Sequence, residues 1–422
     1  MVHLMRKICT QIRSEFQLYS KRKRLFLLFA MICGFLITAE YAIIKPTSES
    51  ILLAHYDLKV YPYLWLLTIP FNFVVVFLYN YFVSRLGCFR VFLGTVALAI
   101  GIHSFSAVFI SFFPPFALFL CIWRDVYILL MFQQLWSVIH INVEVSKAKY
   151  LYGIIFGVSG AGSILGSLAP GFLAIKIGSQ SLLYLTIPFY LILSFMYYQM
   201  LKQSEKIEET RLQIERKKGG FQLIYSSRSL KFIFAIVILM QLSMTVIEYQ
   251  FTSFVYQKFF IQDLRTQFYG RLWGMINLIK LFLQFFATFL LLKVLDLKKS
   301  QFVVPGILLG NAVVSLIIPS FSVIGCSFSL IKIFDYSLFN ILKEILYVPL
   351  GPAEKFKAKA IIDVFGYRSA KGLASFFIIS LTALAPEKLP YAYSWGPFIC
   401  FGIWMVTVFF YLREKEEKLL EA

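Results

Sequence analysis

The chain has 422 residues, of which 59% are hydrophobic, 18% aromatic and 15% charged, with a mean hydropathy of +0.76. Soluble domains carry about 25% charged residues, so this composition excludes a cytosolic enzyme, a secreted disulfide scaffold and a disordered chain, and leaves an all-α polytopic membrane protein. The 41 Lys and Arg against 22 Asp and Glu give +19; in a membrane protein such an excess marks cytoplasmic loops rather than a nucleic-acid partner.

A spanning helix takes about 20 apolar residues, and the apolar runs are continuous rather than alternating, which argues against a β-barrel. In chain order the spans are expected at 25–44, 61–83, 90–112, 115–138, 150–173, 180–201, 230–253, 268–292, 301–319, 322–342, 360–384 and 393–412. Basic residues through Arg24 precede the first span without a small-residue cleavage pattern, so no cleavable signal is expected. Lys and Arg concentrate in the N-terminal segment (Arg6, Lys7, Arg13, Lys21 to Arg24) and in the even loops, with Arg85 and Arg90, Lys147 and Lys149, Lys202 to Arg228, Lys293 to Lys299, and Lys355 to Lys359. The third loop, Ser111 to Pro114, has none. Both termini and the even loops are therefore expected in the cytoplasm.

The longest polar stretch, 202–229, divides the chain into halves 1–201 and 230–422 of six spans each. Glu40-Tyr41 recurs as Glu248-Tyr249, 208 positions on. Ser146-Lys147-Ala148-Lys149 resembles Phe356-Lys357-Ala358-Lys359 at an offset of 210, and Phe156-Gly157 recurs as Phe365-Gly366 at 209. Three matches near one offset of half the chain predict two parallel six-helix pseudo-repeats, a major-facilitator-like layout of twelve transmembrane helices.

An ionisable side chain at the centre of a span costs about 2.5–3.5 kcal/mol on insertion scales and usually faces a partner or a water-filled cavity. Such residues here are Glu40 and Lys45 at the outer end of the first span, Arg124 and Asp125 in the fourth, Glu248 in the seventh and Lys280 in the eighth. Lys332, Asp335, Lys343 and Glu344 lie in the tenth, and Asp363, Arg368 and Lys371 in the eleventh. Arg124/Asp125, Lys332/Asp335 and Lys343/Glu344 serve either as structural ion pairs and gate locks or as cargo ligands. Lys45 either lines the path or snorkels to the outer interface. Glu40 and Glu248 stand out because they recur at the repeat offset. The glycine run Gly157-Val158-Ser159-Gly160-Ala161-Gly162 follows no strand, so it reads as a helix-packing surface rather than a phosphate loop. The six cysteines (Cys9, Cys33, Cys88, Cys121, Cys326, Cys400) and four histidines (His3, His55, His103, His140) share no metal-ligand spacing, and neither metal nor cofactor is expected. No nucleophile–base constellation is found, so no enzyme is expected.

The tenth and eleventh spans carry a longer pattern. Tyr336-Ser337-Leu338-Phe339 is followed by Lys343-Glu344, Tyr347-Val348-Pro349-Leu350, Lys357-Ala358-Lys359-Ala360 and Asp363-Val364-Phe365-Gly366-Tyr367-Arg368. This stretch resembles the ATP/ADP translocase (nucleotide transporter) family of plastids and intracellular bacteria, whose pattern runs Y-S-L-F, K-E-x-x-Y-[IV]-P-L, K-x-K-A and D-V-x-G-x-R at these spacings. Elsewhere the match is thinner. Trp136, Val145-Ser146, Ala148-Lys149 and Tyr152 echo the junction of the fourth and fifth spans. Tyr41 through Leu53 echoes the exit of the first, with Lys45 on the family's basic position, and Glu248 falls on a family glutamate.

The resemblance implies alternating-access transport of nucleotides without hydrolysis, either as ATP/ADP exchange or as proton-coupled import of nucleoside phosphates. It implies a nucleotide or another anionic small molecule and the lipid bilayer, here a bacterial inner membrane, as partners, and no nucleic acid; a monomer is one form left open. Phosphates need cations and a base needs an aromatic slot. Lys45, Arg124, Lys280, Lys343, Arg368 and Lys371 are available for the first, and Tyr41, Tyr249, Tyr347 and Tyr367 for the second; Glu248 and Glu344 complete the substrate set. Glu40, Glu248, Asp125 and Asp363 are the candidates for proton coupling or for pairing with those cations. Three family charges are replaced here: a K-D pair by Ser48-Glu49, an N-E pair by His140-Ile141, and a basic residue after the seventh-span glutamate by Gln250, Phe251 and Thr252. These departures keep two alternatives open, a different anionic metabolite or cofactor as cargo, and a transporter-derived protein that no longer transports.

Overall fold

In the computed structural model the described residues are 19–142, 145–204, 220–293, 297–347, 350, 361–384 and 389–420. They form long helices, which is the required form for a chain in hydrocarbon, where every backbone N–H and C=O must find its partner within the segment. The helices are α1 (Lys21–His55), α2 (Val60–Leu86), α3 (Cys88–Phe109), α4 (Pro115–Asn142), α5 (Val145–Ile177), α6 (Ser181–Gln203), α7 (Arg228–Lys258), α8 (Gln262–Lys293) and α9 (Leu297–Ile317). After these come α10 (Phe321–Tyr347), α11 (Tyr367–Leu384) and α12 (Leu389–Leu420), with a short helix at Gly220–Ser226. Each of the twelve expected spans has its helix. Among the described residues ten helices are long and apolar enough to cross a membrane, and large apolar side chains such as Phe77, Phe112, Leu191, Phe376 and Phe410 are exposed, as lipid contact requires. The chain is a multi-pass membrane protein.

The first span is longer than expected, which corrects the placement of Lys45 at its outer end. Helix α1 runs past Pro46 to His55. Its polar run Thr47, Ser48, Glu49 and Ser50 is buried against protein rather than exposed, and Thr47 Oγ1 and Ser48 Oγ donate back to the Ile43 and Lys45 carbonyls at 2.7 and 3.2 Å. Hydropathy finds the apolar stretch and stops where polar residues begin, although the helix continues. Helix α10 is interrupted by a π-helical turn at Asp335–Phe339, and a second π-helical turn, Ile361–Gly366, leads into α11. Gly87 and Gly178 hold φ of 80° and 81° between α2 and α3 and between α5 and α6, the left-handed conformation that ends a helix at little cost only for glycine.

Contacts group the chain into two units. Unit one comprises Met1–His55, Pro70–Ile214 and Ile261–Asn277; unit two comprises Tyr56–Ile69, Glu215–Phe260 and Leu278–Ala422. In unit one, α1 packs on α4, α5 and α6, α3 packs on α4 and α6, and α5 packs on α6. Every one of these pairings recurs in unit two with helices six places later: α7 on α10, α11 and α12, α9 on α10 and α12, and α11 on α12. The pseudo-repeat is therefore one of packing as well as of sequence. Each unit also takes in a short piece of the opposite sequence half, the first turns of α2 in unit two and the first half of α8 in unit one.

The glycine run packs α5 on α1. A Cβ at Gly162 would strike the Phe35 carbonyl oxygen, and one at Gly166 the Ala39 carbonyl. Small residues are needed because the two backbones meet with no room for side chains. The basic N-terminal residues Arg6, Lys7 and Arg13, the linker positions 205–219 and the motif Lys357 to Ala360 with Lys355 lie outside the described residues.

Candidate functional site

Each unit holds its own cluster of charges. In unit one Glu40 sits midway along α1 and is 1% exposed. The Tyr127 hydroxyl, from α4, reaches both of its carboxylate oxygens, at 2.8 and 2.9 Å. His103 of α3, fully buried, has Nδ1 at 4.0 Å from the same carboxylate and at 3.0 Å from Thr186 Oγ1 of α6. Next to this lies a charged cluster. Arg124 bonds Asp125 at 2.9 Å, Glu49 at 3.3 Å, Ser48 Oγ at 2.8 Å and the Lys45 carbonyl at 3.2 Å. The Arg124/Asp125 pair expected from sequence thus forms, with Glu49 as a second carboxylate on the same guanidinium. Ser48 and Glu49, which stand where the resembled family has a K-D pair, both bond Arg124. Lys45 stands over the Trp273 ring at 4.1 Å.

Unit two is built around α7, α10 and α11. Lys332 bonds Glu248 at 2.8 Å, joining α10 to α7. Asp335, buried in the π-helical turn, accepts from Gln241 Nε2 at 3.2 Å and has Lys332, Lys343 and the Tyr367 hydroxyl about it, so Lys332 has Asp335 near it as well as Glu248. A π turn shifts the register of a helix and often marks a functional position; here it brings Asp335 round to α7. Lys343 stands over Tyr367 at 5.6 Å, Lys371 over Trp65 at 4.9 Å and Lys280 over Tyr336 at 5.3 Å. Tyr249 makes edge contacts with Trp65 and Tyr393. Tyr347 is buried at the end of α10, Glu344 is half-buried beside Lys343, and Arg368 is half-buried in the first turn of α11. The side chain of Asp363 lies outside the described residues.

The structure therefore brings together Glu248, Lys332, Asp335 and Lys343 in one place, and Lys45, Arg124 and Asp125 in another. Lys280 and Lys371 stand on their own aromatic rings. Sequence reasoning missed two features. His103 was read only as one of four scattered histidines, although it is the sole ionisable residue of its span apart from Arg90 and Cys88 at the start. The tryptophans under Lys45 and Lys371 were missed as well, despite a signal at the repeat offset. Tyr61-Pro62-Tyr63-Leu64-Trp65 recurs as Tyr269-Gly270-Arg271-Leu272-Trp273, 208 positions on. These are the segments that each unit takes from the other sequence half. Among the described residues no group of His, Cys, Asp and Glu could hold a metal ion.

Comparison with known proteins bears on this geometry. The family model described as TLC ATP/ADP transporter matches residues 307–414, within unit two and over the π turn, Lys332, Lys343, Arg368 and Lys371. No curated protein sequence matches the chain. Among solved structures, a mutant of the nucleoside transporter NupG superposes with a TM-score of 0.66 at 12% identity, over 92% of this chain and 99% of that one. A bacterial homologue of the iron transporter ferroportin, in its inward-facing state, gives 0.65 at 14% identity over 93% and 99%. A D-xylose–proton symporter gives 0.63 at 13% over 92% and 96%. The chain has the all-helical major facilitator fold, and its residues 307–414 match the TLC ATP/ADP transporter family.

Proposed function

We propose that this chain is a secondary transporter that carries nucleotides across a bacterial inner membrane by alternating access, as a single chain with both termini in the cytoplasm. Its moving parts are the six-helix halves 1–201 and 230–422, joined by 202–229, and it leaves its cargo chemically unchanged. One observation carries the reading. In unit two Lys343 and Lys371 each stand over an aromatic ring and lie within residues 307–414, which the TLC ATP/ADP transporter family model matches; Lys280 stands over Tyr336 of the same stretch. An ammonium group attracts phosphate as a point charge, and the adjacent ring offers a face for a base. Lys332 with Glu248, and Asp335 with its lysine neighbours, supply ion pairs that anionic cargo would compete for.

The test is uptake by cells or proteoliposomes containing the full chain. Radiolabelled ATP is supplied outside and competed with each nucleoside tri-, di- and monophosphate. Saturable uptake inhibited by ADP is expected, falling at least tenfold in Lys343→Ala, which corresponds to about 1.4 kcal/mol of binding. Acceleration of label efflux by external ADP would identify exchange. No uptake and no thermal shift with any nucleotide, from correctly inserted protein, would overturn the reading. A second reading, another anionic metabolite on the same fold, is favoured by one feature. Glu49 neutralises Arg124 in unit one, which leaves less positive charge there for a polyphosphate.

A further inference from the structure

Glu40 poses a chemical problem that Glu248 does not. Glu248 has Lys332 at 2.8 Å, whereas Glu40 is met by neutral groups: the Tyr127 hydroxyl, the Tyr190 phenol that also faces it, and the His103 ring. A lone ionised carboxylate withdrawn from water is far more costly than a neutral carboxylic acid. The charges on neighbouring elements do not reach it as partners. Arg124, one turn from Tyr127 on α4, is held by Asp125, Glu49 and Ser48. Lys45 on α1 itself is turned to Trp273. Helix α3 contributes His103, α6 contributes Tyr190, and α1 contributes Tyr41. From Gly153 to Ile175, helix α5 carries no ionisable residue.

The His103 ring is held beside this carboxylate. Its Nδ1 lies 4.0 Å from Glu40 and 3.0 Å from Thr186 Oγ1, which is itself 2.7 Å from the Leu183 carbonyl. Nε2 is a buried atom that has no hydrogen-bond partner among the described residues. A titratable imidazole and a carboxylate thus lie together, with Tyr127, Tyr190 and Thr186 against them.

We propose that Glu40, His103 and Tyr127 form a proton-binding site inside unit one. A single proton taken from water is held on the Glu40 carboxyl group, beside the neutral His103 ring, and Tyr127 hydrogen-bonds the carboxyl group in both states. Loading adds one proton to a carboxylate–neutral imidazole pair and removes its net negative charge; unloading returns the proton to water. That this loading accompanies cargo movement rests on the transport reading above. The site itself does not. Glu248, with its charge already matched by Lys332, is not the proton carrier.

The test uses the purified full chain in lipid without cargo, by infrared difference spectroscopy between alkaline and acidic buffer. The wild type is expected to show a protonated-carboxyl band that titrates. That band is lost in Glu40→Gln, retained in Glu248→Gln, and moved in frequency or midpoint by Tyr127→Phe and by His103→Gln. The Tyr127→Phe variant removes a single hydroxyl and serves if Glu40→Gln fails to fold. Survival of the same band in Glu40→Gln, its loss in Glu248→Gln alone, or an unmoved band in both Tyr127→Phe and His103→Gln would overturn the site. A second arm measures ATP uptake by proteoliposomes under an imposed acid-outside gradient, with several-fold acceleration expected in the wild type and no response in Glu40→Gln. A Glu40 band without ATP uptake keeps the site and overturns the nucleotide reading. ATP uptake without a Glu40 band does the reverse.

Discussion

Glu40 and Glu248 lie 208 positions apart on helices that pack identically, α1 on α4, α5 and α6, and α7 on α10, α11 and α12, yet they meet opposite partners. Glu40 is surrounded by hydroxyls and a neutral imidazole; Glu248 is bonded to an ammonium. At the offset of 208, Lys332 corresponds to Arg124 and Asp335 to Tyr127. The repeat therefore kept both the carboxylate and a cation on the helix packed against it, but Lys332 bonds Glu248, whereas Arg124 bonds Asp125, Glu49 and Ser48 and Glu40 meets Tyr127. On the proposals above the duplicated scaffold divides labour: unit one takes a proton, and unit two, with lysines over aromatic rings, takes an anion.

The comparison is broken most forcefully by removing the cation. Lys332→Ala leaves Glu248 without its ion-pair partner in a largely buried site, which costs about 3 kcal/mol, the low end for such pairs because Glu248 keeps 17% exposure. Thermal melting of the detergent-solubilised chain should show the loss, and Lys332→Ala combined with Glu248→Ala should recover part of it.

Next in size is a steric contrast. Gly166→Ala drives a methyl into the Ala39 carbonyl of α1, a backbone atom that cannot turn aside, and should cost about 1–3 kcal/mol. A Cβ at Gly366 meets the edge of the Phe234 ring at 3.3 Å, which can shift, and the gain in helix propensity of up to about 1 kcal/mol offsets the contact. Gly366→Ala should therefore melt within a few degrees of the wild type.

Tyr127→Phe removes the hydroxyl that Glu40 accepts from and should lower stability by about 1–2 kcal/mol. The smallest effect tests a likeness rather than a difference. Double-mutant cycles on Lys45 with Trp273, and on Lys371 with Trp65, should each give a coupling of about 0.5–2 kcal/mol. A coupling in one pair alone would show that the recurring Tyr-x-x-Leu-Trp segment has kept its role in only one unit.

Much of the fold was legible in the sequence. The twelve spans, the packing role of the glycine run and the pairing of Arg124 with Asp125 follow from hydropathy, residue size and adjacency. The matched motif from Tyr336 to Arg368 pointed to the family whose model falls on residues 307–414. The candidate site was legible residue by residue but not as a constellation. Lys332 has Asp335 near it, as the spacing predicts, and also crosses to Glu248 of α7, a partner that spacing along one helix cannot reveal. His103 looked unremarkable because its partners, Glu40, Tyr127 and Thr186, come from three other helices. Lys45 seemed to sit at a helix end because the polar run after it is buried by protein, which hydropathy cannot distinguish from exposure to water.

The sequence by itself determined the class of the protein, the number and place of its helices and the existence of a repeat, because a bilayer demands continuous apolar segments and duplication leaves a fixed offset. Only the tertiary structure decided which partner each buried charge meets. Helical spacing defines the face on which a side chain lies, but the group opposite belongs to another helix, and it is that group which makes Glu248 half of an ion pair and leaves Glu40 among neutral donors.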